Sequence, residues 1–188
     1  MGNKVKYGLK NVHYAVITVN SDTGAVSYGT PTRIPGAVTL SAPPKGEKTE
    51  FFADDAAYFV ATANQGYEGT LEVALVPDIF KKDVLGYKED VNGVLFEASD
   101  ATAKDIALLF EFNGDQNGTR HIFYNVAVGR PGMESSTKGQ NIEVKTETMN
   151  ITASPSLDNG YVKAKADAGT SAYDAWFDLV YVYEEAGV

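Results

Sequence analysis

The chain has 188 residues and a formal net charge of −9 at pH 7, with a pI of about 4.7. Its length suits one domain with a buried core, and 44% apolar residues exclude disorder for most of the chain. The absence of cysteine excludes disulfides, thiolate metal sites and cysteine nucleophiles. No basic patch suits nucleic-acid binding. The polar start predicts no signal peptide, and no apolar run approaches the ~20 residues of a membrane helix.

Short apolar runs between turn residues predict a mainly β fold, an antiparallel sandwich or barrel with one short flanking α-helix. We predict a single domain over 1–188, with a flexible N-terminal arm at 1–10 and a C-terminal tail at 184–188. Asp54-Asp55 and Asn92-Gly93 are predicted turns. The predicted strands are 12–19, 26–34, 37–42, 49–53, 58–63, 70–76, 87–91, 94–97, the two strands of a hairpin within 105–131, 142–153 and 161–165.

One helix is predicted in the first hundred residues, from Pro77 to Leu85. Pro77 suits a first helical turn, Asp78 complements the positive end of the helix dipole, and Gly86 provides a stop. Near the C-terminus, apolar side chains at helical spacing leave open a terminal helix or a tight turn. These side chains are Tyr173, Trp176, Phe177 and Val180.

The stretch from 105 to 131 predicts the central hairpin, around which the rest of the sheet is organised. Leu108, Phe110 and Phe112 alternate with Leu109 and Glu111, which places the two sets on opposite faces. The polar run 113–118 contains residues that tolerate positive φ, so the chain reverses there. On the return strand, the predicted faces are Ile122, Tyr124, Val126 and Val128 against His121, Phe123 and Asn125.

Several motifs follow one another in an order that is typical of one family. They are YGLKNVHY (7–14), GYEGTLE (66–72), PDIFKKDVLG (77–86), LLFEFNGD (108–115), YNV with a later RP (124–131), KTET (145–148) and a final Trp-Phe pair. In this order they resemble the phi13-type major tail protein, the tail tube protein of long-tailed bacteriophages. No single motif is a chemical signature, so the resemblance depends on their order along nearly the whole chain.

The resemblance implies a structural virion protein with two packed antiparallel sheets and a flanking helix. Its subunits form hexameric rings, and the rings stack into a tail tube through which double-stranded DNA passes without specific binding. It implies a place in the virion tail, assembly in the bacterial host cytoplasm, and no cofactor or enzyme activity. The implied partners are the tape measure protein and a tail terminator or distal tail protein. An acidic surface facing DNA and plain solubility both explain the net charge.

Two sets of residues are candidates for assembly contacts. The charged segment 43–48 is predicted to be a loop tip, and the hypothesised ring-stacking residues are Lys45, Gly46, Glu47, Lys48 and Thr49. The strand stretches 105–128 and 142–153 are the expected contributors to an inner barrel of the ring. Their hypothesised inter-subunit or lumen residues are Glu111, Arg120, Glu143, Lys145 and Glu147. The arm 1–10 and the loop 132–140 are further expected contacts between rings.

The alternative function is a monomeric β-sandwich module that binds carbohydrate or acts as an adhesive. It would use exposed aromatic side chains such as Tyr67, Tyr87 or Trp176. A hydrolase is disfavoured because the sequence has neither a GxSxG elbow nor a phosphate-binding loop. His13 and His121 lack the spacing of metal ligands, so we predict no catalytic, cofactor-binding or metal residues.

Overall fold

The computed structural model describes residues 7–115, 117–137 and 144–185. Glu143, most of the predicted arm 1–10, the end of the loop 132–140 and residues 186–188 of the tail lie outside the described residues. The elements are β1 (Leu9–Val19), β2 (Val26–Tyr28), β3 (Thr32–Arg33), β4 (Ala37–Ser41), β5 (Lys48–Ala53), β6 (Ala56–Thr62), β7 (Tyr67–Val73), α1 (Asp78–Asp83), β8 (Lys88–Glu89), β9 (Leu95–Phe96), β10 (Ile106–Phe112), β11 (Arg120–Val128), β12 (Glu147–Ser154) and β13 (Lys163–Ala166).

Nine strands form one antiparallel sheet in the order β2-β1-β10-β11-β12-β7-β4, with β3 also paired to β1 and β13 also paired to β11. The hairpins β5–β6 and β8–β9 are separate two-stranded sheets. At the end of the large sheet, β4 comes back beside β1, so the sheet bends around its core. The predicted mainly β architecture with antiparallel strands and one short helix is confirmed. Within the described residues the sheet does not close into a barrel.

The sheet has a core on each side, and β10 contributes to both. The main core gathers apolar residues of β1, β7, β10, β11 and β12 together with α1. The second core covers the other face of β1, β10 and β11 with the C-terminal segment, through Trp176 and Val180. Leu108 lies in the first core and Leu109 in the second, and neither is exposed at all. The predicted opposite faces of this strand are therefore confirmed.

The helix α1 closes one end of the main core. The predicted helix from Pro77 to Leu85 is present but shorter, with Pro77 as its N-cap, and it is too short to be stable without packing. Phe80 is buried and meets the ring of Tyr14 edge to face, with the ring centroids 4.9 Å apart. After the helix, the Val84 carbonyl accepts a hydrogen bond of 2.8 Å from the backbone of Lys104, just before β10 begins.

The predicted faces of β11 are wrong beyond Tyr124. Ile122 and Tyr124 pack in the second core, whereas Val126 and Val128 join Phe123 in the main core. The cause is a β-bulge. Ile106 pairs with Val126 and Leu108 pairs with Phe123, so a step of two residues along β10 matches a step of three along β11. One extra residue reverses the alternation of every side chain that follows it.

One further predicted strand differs in the structure, and the alternatives left open at the C-terminus are resolved in favour of turns. The predicted strand 26–34 is divided into β2 and β3, and Pro31 lies between them. The C-terminal segment forms successive turns and no helix, with backbone bonds from Trp176 to Tyr173 and from Asp178 to Ala175. These turns keep Trp176 against the sheet, where it is 2% exposed.

Leu109→Ala is expected to lower the free energy of unfolding by about 2–5 kcal/mol, because it leaves a cavity in the second core. Urea denaturation followed by tryptophan fluorescence measures the change. The matched control Val38→Ala removes a side chain that is 48% exposed, and we expect a change within about 0.5 kcal/mol. Equal losses in the two variants would contradict a two-sided core at β10.

Candidate functional site

The β5–β6 hairpin leaves its large apolar side chains uncovered. Phe51 and Phe59 lie opposite each other across the strands, and each is 59% exposed. Phe52, Tyr58 and Val60 are 61%, 76% and 47% exposed. Because neighbouring strand residues point to opposite sides, Phe51 and Phe52 place aromatic rings on both faces. The five side chains together expose on the order of 500 Å² of surface, since one aromatic side chain contributes about 150–250 Å².

The hypothesised ring-stacking residues form the base of this hairpin. They are Lys45, Gly46, Glu47, Lys48 and Thr49. The backbone of Lys45 donates to the Gly66 carbonyl at 2.8 Å, and the backbone of Ala63 donates to the Glu47 carbonyl at 3.0 Å. A Cβ on Gly46 would lie 2.0 Å from the Ala63 carbonyl oxygen, so this close approach requires glycine. The prediction of a loop tip at 43–48 is therefore wrong, and the stacking role of these residues stays a prediction.

The tip of the hairpin is the turn at Asp54 and Asp55, as the sequence predicted. Both residues have positive φ, at 51° and 58°, which Asp tolerates better than most side chains. Within the described part of the chain, neither carboxylate forms an ion pair. At the base, by contrast, the Lys45 ammonium lies 2.9 Å from a Glu68 carboxylate oxygen. The hairpin thus presents two adjacent negative charges at its outer end.

Glu111 and Arg120 are brought together within the chain. The Glu111 carboxylate is almost buried and accepts a hydrogen bond of 2.6 Å from the Asn11 side-chain amide. The Lys10 ammonium lies 3.1 Å from the same oxygen, and Arg120 Nε lies 3.4 Å from the other. Two cations and an amide offset the cost of burying this carboxylate. Both side chains therefore have partners in the single chain, and a role toward a neighbouring copy or a lumen stays a prediction.

Arg120 also fixes the C-terminal segment to the sheet. Its guanidinium donates to the Tyr173 carbonyl and lies 3.9 Å from the centroid of the Tyr173 ring. The Phe177 ring centroid is 4.8 Å from the guanidinium carbon. On the other side, the His13 ring stacks on Phe177 with centroids 4.6 Å apart. This layer of rings and one cation covers the second core at its edge.

Of the remaining hypothesised lumen residues, the structure describes Lys145 and Glu147, and neither contacts this pair. Glu143 lies outside the described residues. Lys145 is exposed just before β12. Glu147 is half-buried at the start of β12, and its carboxylate accepts a hydrogen bond of 2.6 Å from the backbone of Val76. This bond holds the connection between β7 and α1, which is a structural contact that the sequence pattern did not reveal.

A polar face crosses β4, β7 and β12 on the side away from the main core. Its cross-strand rows are Thr39–Glu72–Thr148, Ser41–Thr70–Asn150 and Glu68–Thr152. The alternate residues of the same strands, such as Leu71 and Met149, are buried in the main core. The eight side chains of the polar face include two carboxylates and no cation. Sequence reasoning missed this face because the register of three distant strands creates it.

A cleft of about 230 Å³ opens at the end of the main core that lies away from α1. Its lining includes the aromatic residues Tyr67, Phe110, Phe112 and Phe123, the aliphatic residues Leu40, Ala42, Ile122 and Ala164, and the basic residues His121 and Lys163. The Lys163 ammonium lies 4.7 Å from the centroid of the Tyr67 ring. None of the residues that line the cleft is acidic, so the lining is aromatic with Lys163 and His121 at its rim, and Asp115 lies near His121.

The described residues hold no group of three or more His, Cys, Asp or Glu side chains that is arranged to bind a metal ion. In the same ranges, no helix has the length and apolar character needed to span a membrane. Asp115, in the turn before β11, accepts hydrogen bonds from Thr119 and from the backbone of Asn117, and these lower the pKa of its carboxyl. It therefore stabilises a hairpin turn, as the sequence predicted.

Comparison with known proteins adds no relative to these observations. No protein-family model matches the chain, and a search of the curated proteins gives no match. The class that the fold defines is a mainly β, antiparallel protein with one short helix. Its function has to be inferred from its sequence motifs and from its exposed surfaces.

We expect the protein to lose stability as the pH falls below about 6.5, in part through His13. Burial lowers the pKa of the His13 imidazole from its usual 6.5, and the nearby Arg33 lowers it further, although a bond to the Asn11 carbonyl acts in the opposite direction. The unfolded chain then binds the proton more readily than the folded chain, so this contribution is lost as the pH falls from 6.5 toward the lowered pKa.

His13→Gln removes this titration, so the variant should lose less stability than the wild type when the pH falls from about 7.5 to about 5.5. Urea denaturation at a series of pH values gives the two slopes. Identical slopes would contradict a lowered pKa at His13.

Proposed function

We propose that this chain is a structural protein of a bacteriophage tail, whose subunits form hexameric rings that stack into the tail tube. The observation that carries the proposal is the β5–β6 hairpin, with five large apolar side chains exposed on both faces. Such a hairpin is marginal in water by itself, and surface of this kind marks protein–protein contact sites. The order of motifs along the sequence supports rings and a tube as the particular assembly.

The free strand edges support assembly through copies of the same chain. The stretches 105–128 and 142–153 were the expected contributors to an inner barrel. Their strands β10, β11 and β12 each have a neighbouring strand on both sides, so their paired residues have no open edge for another chain. Among the described strands of the large sheet, the outer edges belong to β2, β3, β4 and β13. An open edge is a template for pairing with another chain, and closure of a ring removes it.

The polar face is the surface we propose for the lumen of the tube. Threonine, serine and asparagine side chains dominate it. Its two carboxylates are Glu72 and Glu68, and the Glu68 carboxylate pairs with the Lys45 ammonium at 2.9 Å. Six copies with a net charge of −9 give a ring of roughly −54. A neutral to acidic wall repels phosphates, so double-stranded DNA passes without specific binding.

This function includes further proposals that follow from the tail tube itself. The protein would act in the virion tail after assembly in the cytoplasm of the bacterial host. Its partners would be the tape measure protein inside the tube and a tail terminator or distal tail protein at the ends. The protein would have no enzyme activity and no cofactor, because its work is assembly and passage of DNA.

The alternative, a monomeric carbohydrate-binding or adhesive module, has less support. Trp176 is buried, and the Tyr87 hydroxyl donates to the Glu97 carboxylate at 2.6 Å. Tyr67 packs on Phe123 with ring centroids 5.1 Å apart and has Lys163 above it. A sugar platform needs an open ring face, and these three residues do not provide a shared one. Binding to a glycan array by a stable monomer would favour the alternative.

Replacing Phe51 and Phe59 with serine is expected to raise the protein concentration needed for assembly at least ~30-fold, as for the loss of interface hot spots. The fold should persist, because both rings are exposed in the single chain. Negative-stain electron microscopy and light scattering across a concentration series measure assembly. Val91→Ser, in the β8–β9 turn and fully exposed, is the control that should assemble normally. Normal tubes from the double serine variant would overturn the proposal as built on this hairpin.

Replacing Thr70 and Asn150 with lysine is expected to make assembled tubes retain duplex DNA at low salt and release it as the salt concentration rises. The two residues lie opposite each other on the polar face, so each copy would add two cations to the proposed lumen. Co-sedimentation of a labelled duplex with tubes measures retention. The matched control, Val91→Lys with Asn92→Lys in the β8–β9 turn, should leave the tubes without DNA inside. Equal retention by both variants would overturn the assignment of the lumen.

A further inference from the structure

The aromatic cleft is shaped for side chains of another protein. Its volume of about 230 Å³ is below the ~300–1,000 Å³ of clefts that bind drug-sized molecules. Its walls are the rings of Phe110, Phe112 and Phe123, which offer edge and face contacts to further aromatic rings. Lys163 and His121 place the basic groups at the rim. A matching ligand is therefore a protruding element with aromatic side chains and nearby carboxylates.

The β5–β6 hairpin has both of these features. Phe51 and Phe59 form an exposed aromatic pair one bulge away from the tip, and Asp54 and Asp55 form the tip itself. The hairpin does not fill the cleft of its own chain, because its rings are exposed there. The hairpin joins the rest of the fold at the rim of that cleft, where Pro44 pairs with Tyr67. A hairpin docked in such a cleft therefore needs the cleft of a second copy.

We propose that the β5–β6 hairpin of one chain docks into the aromatic cleft of a second copy. Phe51 and Phe59 pack against the rings of the cleft, and the carboxylates of Asp54 and Asp55 lie beside the Lys163 ammonium. The rings of Phe51 and Phe59 lie on one face of the hairpin, and their exposed area, on the order of 200 Å², is about a quarter of the ~800 Å² per partner of a standard interface. This inference rests on the proposed homo-oligomer and names one of its contacts.

The contact joins two different surfaces, so it is heterologous and repeats from copy to copy. Each chain keeps one hairpin to donate and one cleft to fill, and such contacts build a closed ring or an open filament. The charges add direction, because the acidic tip suits the basic rim and two tips repel each other. The contact thus accounts for growth beyond a dimer.

Cross-linking between introduced cysteines tests the contact, and the natural chain has no cysteine to interfere. The test chain carries Asp55→Cys at the hairpin tip and Lys163→Cys at the cleft, both exposed positions. Oxidation of the assembled protein should give a ladder of covalent multimers on a non-reducing gel. The control chain carries Lys163→Cys with Asp22→Cys. Asp22 lies in the turn between β1 and β2, outside the hairpin and outside the cleft. It should give no ladder.

The outcomes separate this contact from the wider proposal. A ladder from the Asp55–Lys163 pair alone supports the docking. Rings or tubes under the electron microscope without that ladder, or with an equal ladder from the control chain, would overturn the docking and leave the proposed function standing. A wild-type chain that stays monomeric at every concentration would overturn both.

Charge reversal gives a second measurement of the same contact. Lys163→Glu should raise the concentration needed for assembly about two- to fivefold, as expected for an exposed ion pair. Adding Asp54→Lys and Asp55→Lys to that variant should restore assembly toward the wild-type concentration. A further loss in the combined variant would overturn the pairing of the acidic tip with Lys163.

Discussion

The constraint on which this structure depends is that β10 is apolar on both faces. A strand with Leu108 on one side and Leu109 on the other needs a cover on each side, since exposing either side chain costs about 1.5–3 kcal/mol. The bent sheet and α1 provide one cover, and the C-terminal turns provide the other. The order of strands follows, because the most apolar strand lies between β1 and β11 and away from every edge.

The same constraint explains why the β5–β6 hairpin is the unusual part of the molecule. Phe51 and Phe52 repeat the two-sided apolar pattern of β10, but no layer among the residues that the structure describes covers either of them. Both faces of β10 are covered by other parts of the fold, whereas both faces of the hairpin are exposed. The proposed assembly with further copies would cover these side chains, which links the energetics of the core to the proposed function.

Electrostatics separate the two sides of the sheet. On the side of the C-terminal turns, Glu111 and Arg120 are enclosed in a network with Lys10 and Asn11 and serve the fold. On the polar face, Glu72 is bonded only by neutral groups that the structure describes, such as the Thr146 hydroxyl at 2.5 Å. Glu111 and Glu72 both lie in predicted strands, but the layer that covers Glu111 makes it a structural residue, whereas Glu72 lies on the polar face.

Much of the local structure was predictable from the sequence. The alternation in β10, the helix after Pro77 and the turn at Asp54-Asp55 all depend on neighbouring residues, whose periodicity and backbone preferences are written in the chain. The candidate site was predicted in part. Residues 45–49 lie next to the exposed hairpin, but its aromatic side chains were assigned to ordinary strands, because a strand pattern does not tell whether a second layer covers it.

Tertiary structure alone decided the remaining features. A bulge opposite Ala107, between the paired residues Ile106 and Leu108, reversed the faces of β11. A bulge is set by the pairing of two strands and not by either sequence. The polar face arises from the register of β4, β7 and β12, which lie far apart in the chain. The burial of Glu111 arises from partners on both neighbouring strands, β1 and β11. Local sequence fixed which residues form strands and turns, whereas packing between distant strands determined which of their faces are covered and which are free to meet a neighbour.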